Sequence, residues 1–147
     1  MASQILCNSF KAELFQGIHN FTAITGDVFK LALYTSAASL SASTTAYSTT
    51  NESSGTNYTA GGIALTNITP VLATDPTTGA KVAVTTFVDP VFSLVAVTYR
   101  QALIYNSSKA NRAVAVFVFD SDRVISGTNL TFQMPAATAS SAILRGI

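Results

Sequence analysis

From residue 28 onward, apolar side chains return at every second position, in short runs separated by turn residues. A period of two belongs to extended strands, where alternate side chains point to opposite faces. Residues 28–34 (VFKLALY) place Phe29, Leu31 and Leu33 on one face, and Val28, Ala32 and Tyr34 on the other. A strand apolar on both faces belongs in the middle of a sheet or against a partner. Residues 63–72 form a further run, interrupted by Pro70, and a turn at 75–79 leads into the alternating stretch 81–88. Asp89-Pro90 breaks the chain again. Residues 91–105 hold two strand-like runs, FSLVAVTYR and ALIY, followed by a polar turn at 106–111. Residues 113–119 (AVAVFVF) are almost wholly apolar and should be the most deeply buried strand. Residues 129–134 and 142–145 complete the series. Short strands about ten residues apart, with turn signals between them, predict an all-β chain. The expected architecture is a β-sandwich of jelly-roll or Greek-key type, with 1–147 forming one domain.

Two segments depart from this rhythm. Leu6, Phe10, Leu14 and Ile18 recur every fourth residue, which predicts one short amphipathic helix over 3–18. Ser3 would cap it and Gly17 would end it, so that residues 1–20 form a helical arm. Residues 35–62 are long and polar, with Leu40, Tyr47 and Tyr58 as their only large apolar side chains. Such a segment cannot build a core of its own. It is either an extended loop lying along a neighbouring subunit or a plain flexible loop.

Charged residues make up only 10% of the chain and hydrophobic ones 48%. The ordinary charged share is about 25%. Ser, Thr, Asn and Ala must therefore cover much of the surface, which suits a protein whose surface is desolvated in an assembly. The eight Lys and Arg residues are scattered, so no basic stripe for nucleic acid is present. No apolar run is long enough to cross a membrane. The lone Cys7 excludes an internal disulfide and reads as a small buried hydrophobe. His19, the single histidine, reads as a helix-end residue rather than a catalytic base. Asp120 and Asp122 read as a strand-end turn with Arg123 as counterion, since a Ca²⁺ loop would need a following Gly and a distal Glu. With no metal cluster, nucleophile elbow or phosphate cradle, the expectation is a non-enzymatic chain without cofactors that recognises protein surfaces.

The run GDVFKLALYTSAASLSASTTAYSTTNESSGTNYTAGG, residues 26–62, resembles a family of small tailed-bacteriophage virion structural proteins. So does ALIYNSSKANRAVAVFVFD, residues 102–120, whereas residues 67–97 resemble that family less. The resemblance implies a virion component made in the host cytoplasm. Its size, neutrality and expected sandwich are similar to those of a capsid decoration, or cement, protein on the head exterior. Such a protein binds the major capsid protein, stabilises contacts between its subunits and forms a homo-oligomer, a dimer or a trimer. The alternative is a tail or head–tail connector component. On the decoration reading, the contacts are expected from Leu6, Phe10 and Phe15 of the arm and from Leu40, Tyr47 and Tyr58 of the loop. Aromatic anchors in polar surroundings are what interface hot spots look like. The other reading of the arm is that it covers an open end of the sandwich.

Overall fold

The computed structural model describes residues 2–146, and they are all-β apart from one short helix. The nine strands are β1 (Ala2–Leu6), β2 (Phe29–Tyr34), β3 (Gly55–Thr56), β4 (Ile63–Ala64), β5 (Val71–Thr74), β6 (Lys81–Thr85), β7 (Val91–Asn106), β8 (Arg112–Thr131) and β9 (Leu144–Gly146). Helix α1 spans Asn8–Phe15. The larger sheet runs β1-β8-β7-β2-β4, with β3 added against β7, and the smaller runs β5-β6-β9. Every ladder is antiparallel. The two sheets pack on one another: Phe87, Ile143 and Leu144 share one buried cluster with Phe29, Leu31, Leu103 and Val116 of the larger sheet.

The central layer follows directly from the sequence pattern. β2 is buried from Leu31 to Tyr34 because β7 and β4 flank it and both faces are covered. Ala113, Val114, Ala115, Val116 and Phe117 are 0–3% exposed, as a continuous apolar run requires. The two runs expected at 91–105 fuse into one 16-residue strand, β7. Its partner β8 has 20 residues and continues through the stretch read as a turn at Asp120 and Asp122. The long hairpin bends at a bulge. Tyr99 pairs with Arg123 and Gln101 with Val118, so β8 takes five steps where β7 takes two. Arg100 holds the looped-out backbone, donating from its guanidinium to the Asp120 carbonyl at 2.8 Å and the Phe119 carbonyl at 3.4 Å.

The helix expected over 3–18 is half strand. β1 pairs with β8, Leu6 opposite Ala115 and Ala2 opposite Phe119. The backbone turns at buried Cys7, whose φ of −69° and ψ of 139° are still extended, and only then enters α1. The free edge of β8 offers the main chain of Ala2–Leu6 a ladder, and that satisfies its donors and acceptors as fully as a helix would. Gly17 does end the helix: at φ +70° it donates to the Leu14 carbonyl, and Ile18 N donates to the Glu13 carbonyl. This pair of bonds is a Schellman cap.

The long polar segment 35–62 packs on its own sheet. Ser53 N donates to the Leu33 carbonyl, Ala113 N to Thr45 and Tyr47 N to Asn111. The buried Gln101 clamps its start, donating to the Ala38 carbonyl at 2.7 Å and accepting from Leu40 N at 3.1 Å.

Candidate interaction surface

Of the six contact residues expected from the sequence, Phe15 alone offers a free apolar side chain, at 95% exposure. Phe10 is 1% exposed and faces the core, 4.8 Å from the His19 ring and edge-on to Phe21. Leu6 and Leu40 are half-buried against the same core. Tyr47 stacks on Tyr105 at 4.6 Å, and Tyr58 lies 6.0 Å from Phe92. The structure brings Tyr47 and Tyr58 together on Glu52. Tyr47 donates to Oε2 at 2.6 Å, and Tyr58 and Gly61 N both donate to Oε1 at 2.8 Å. The Tyr58 hydroxyl also accepts from Leu33 N at 2.8 Å, which ties the loop to β2. Burial, then the Glu52 carboxylate, raises both phenols above the ordinary tyrosine range. Burial likewise pushes Tyr105 up to about 12.

A second buried network fixes α1. Asn106 is fully buried, and its amide donates to Asp27 Oδ2 at 2.8 Å and contacts His19 Nδ1 at 3.0 Å. Both amide protons are thereby used, so His19 Nδ1 is the acceptor and the imidazole is the Nε2–H tautomer. That proton points to Glu13 Oε1 at 3.2 Å, and Arg112 bonds the other Glu13 oxygen. Phe10, Phe21 and Phe29 enclose the ring. His19, at the end of the helix, joins α1 to the β7–β8 turn through Glu13 and Asn106. Cys7 is fully buried, and burial pushes its thiol up to about 11, which leaves it unreactive. Among the described residues, no three or more His, Cys, Asp or Glu side chains gather to hold a metal. No helix is long and apolar enough to cross a membrane.

Two of the exposed apolar side chains that sequence reasoning missed, Ile24 and Leu94, are 101% and 61% exposed. Both adopt left-handed backbone, with φ of 69° and 47°. Bulky side chains avoid this region, β-branched ones above all. Asparagines hold the backbone of Leu94 itself and of Thr22, two residues before Ile24. Around Ile24, Asn20 Oδ1 accepts from Thr22 N at 3.0 Å and Asn67 donates to the Thr22 carbonyl at 3.3 Å. Thr69 Oγ1 accepts from Ala23 N at 2.9 Å, which places the turn beside the exposed Ile68. At Leu94, Asn129 Oδ1 accepts from the backbone N–H and Asn57 donates to the carbonyl, each at 2.9 Å. Leu94 also lines a shallow groove of about 690 Å³ with Thr56, Ala96 and Ile125. The sequence signal for Leu94 was the step from Phe92 to Val95, which breaks strict alternation; a bulge there turns Leu94 outward. Ile24 left only the weak signal of a β-branched residue two before Gly26.

No family model matches this chain, no curated protein matches it and no solved structure matches it.

Proposed function

We propose that this chain is a structural protein of a tailed-phage virion that decorates the exterior of the head and stabilises contacts between major capsid protein subunits. The observation that carries the reading is the pair Ile24 and Leu94. A bulky apolar side chain held in strained backbone and aimed at water costs stability in the free protein, and such strain collects where a surface works. Clamped anchors of this kind lose little further freedom on docking. The charge-poor, hydroxyl-rich composition supports the same reading, as does the resemblance carried by residues 26–62 and 102–120. A stable contact buries about 1,000 Å² or more, and a protein that binds only the assembled shell stabilises it by mass action. Homo-oligomers, dimeric or trimeric, would repeat the anchors over the shell. We also infer a Greek-key connection in the sandwich, supported by the strand order β1-β8-β7-β2, in which the link from β1 to β2 passes over the central hairpin.

Ile24→Gly tests the role of the anchor. Glycine accepts φ of 69° freely, so the variant should be more stable than the parent by about 1 kcal/mol. It should also bind purified shells at least about tenfold more weakly, the loss of one buried isoleucine anchor. Unchanged shell binding would remove Ile24 from the contact. Copy number in purified particles tests the location: a simple fraction of the major capsid protein count fits decoration, and a few rings' worth moves the protein to the tail or connector.

A further inference from the structure

β8 loses its outer neighbour halfway along its length. Among the described residues β1 pairs with β8 from Ala115 to Phe119, and the bulge in the β7–β8 ladder follows directly. Beyond it β8 continues to Thr131 with β7 on one side, and among the described residues no backbone hydrogen bond leaves residues 123–131 on the other. Natural sheets blunt such edges with proline, charge or a covering loop. This stretch, RVISGTNLT, has no proline and one charged residue, and Val124 is 66% exposed. The pairing shifts again between Ser126 and Thr128, around Gly127 at φ +80°, so the regular part of the free edge is residues 123–126.

A groove of about 650 Å³ reaches this edge at Arg123 and touches β1 at Gln4. Gln4, Tyr99, Phe119, Arg123, Phe132 and Met134 line it. Its walls are aromatic, with Phe119 edge-on to both Tyr99 at 5.6 Å and Phe132 at 5.9 Å. The Arg123 guanidinium lies 5.0 Å above the Phe119 ring, which fixes its plane. Its Nε is buried without a hydrogen-bond partner, and its Nη2 stands 3.6 Å from Asp120 Oδ1, longer than a hydrogen bond. Nε–H and Nη2–H together form the edge of the fork that takes a carboxylate with two bonds.

We propose that residues 123–126 of β8 take up an extended segment of a partner protein as an added antiparallel strand, with an Asp or Glu carboxylate of that segment bound by Arg123. The free edge supplies main-chain hydrogen bonds, the aromatic groove receives alternate apolar side chains, and Arg123 sets the register. The added strand continues the line of β1 and completes the outer side of the sheet. The edge accepts such a strand whether it comes from a shell protein or from any other chain, so this docking stands or falls separately from the virion reading.

The probe is an acetylated, amidated hexapeptide of alternating Thr and Val with one central Glu, titrated into the isotope-labelled full chain by NMR. The amides of residues 123–126 should shift and exchange more slowly with water. The Glu peptide should bind about tenfold more tightly than its Gln counterpart, the worth of a charge-assisted pair. In Arg123→Gln that preference should vanish while weak edge pairing remains. The comparison of Glu and Gln peptides on the parent protein needs no variant to fold. Equal affinity of the two peptides, perturbations elsewhere, or none would overturn the proposal. So would sedimentation showing that two copies of the chain already pair through this edge.

Discussion

Glu52 shows how one side chain can hold a long polar segment. Its carboxylate accepts from Tyr47, Tyr58 and the Gly61 backbone, and two of these donors sit on phenols whose rings pack on the sheet. Removing the acceptor leaves three donors to find water in a half-buried place. Glu52→Ala should therefore cost about 2–3 kcal/mol, read as a lower urea midpoint at unchanged slope, while Glu52→Gln, which keeps an acceptor oxygen, should cost less. An unchanged midpoint for the alanine variant would mean that the carboxylate is dispensable. The same phenols set the alkaline limit. Tyr105 ionises near 12 in the folded chain against about 10 when unfolded, and burial raises Tyr34, Tyr47 and Tyr58 in the same direction. Above pH about 10 the unfolded chain sheds phenolic protons that the native chain keeps, so their contribution is full below 10 and is lost as pH rises through about 12. Urea midpoints should hold steady up to pH about 10 and then fall, and a flat profile to 12 would contradict the burial of these hydroxyls. An aromatic residue in a polar run looks the same in sequence whether it anchors its own loop or a partner. That is why Tyr47 and Tyr58 stood out while Glu52 did not.

At the level of elements, turns are constrained by what their backbones touch. Gly62 has φ of +78°, and a Cβ there would stand 1.8 Å from the Leu31 carbonyl oxygen, because the bend into β4 lies directly on β2. Gly79 has a similar φ of +74° with nothing within 4 Å. Gly79→Ala should then cost about 1 kcal/mol from backbone strain alone, and Gly62→Ala about 3 kcal/mol or more, since β2 and β4 must also separate. Thermal melts of the two variants compare them directly, and equal costs would show that the close approach relaxes freely. The strands that carry the core were legible because burial on both faces leaves an unbroken apolar run, as at Ala113 to Phe117. The N-terminal element was not. The fourfold spacing of Leu6, Phe10 and Leu14 fits a helix, but Leu6 ends a strand and Leu14 is 43% exposed. What decides that segment is the edge of β8 over a hundred residues away, and no local pattern records it. Leu94 left only the break in alternation between Phe92 and Val95, because a bulge turns a residue to the other face without changing the composition of its strand.

Across the whole molecule, the two sheets have unequal support. The main cluster holds Phe29, Leu31, Leu103, Val116, Phe117 and Phe132, with Phe21 and Phe29 stacked at 4.4 Å. The outer part of the small sheet rests on Val82, Val84 and Ala142, flanked by Ala73, Ala137 and Ala139. Valines and alanines bury far less apolar surface each than phenylalanines and leucines, so less free energy holds β5 and β6 in place. β5 is also an edge strand, with Val71 and Leu72 54% and 69% exposed. Regions with few buried apolar contacts open before the whole chain does. Native-state hydrogen exchange should therefore find the amides of Ala102, Leu103, Val114 and Val116 exchanging only by global unfolding. Those of Ala73, Val82 and Val84 should exchange through a smaller opening that urea barely affects. If the β5–β6 amides instead joined the global isotherm, the two clusters would be one cooperative unit and the small sheet would owe its stability to Phe87, Ile143 and Leu144, where it meets the larger one.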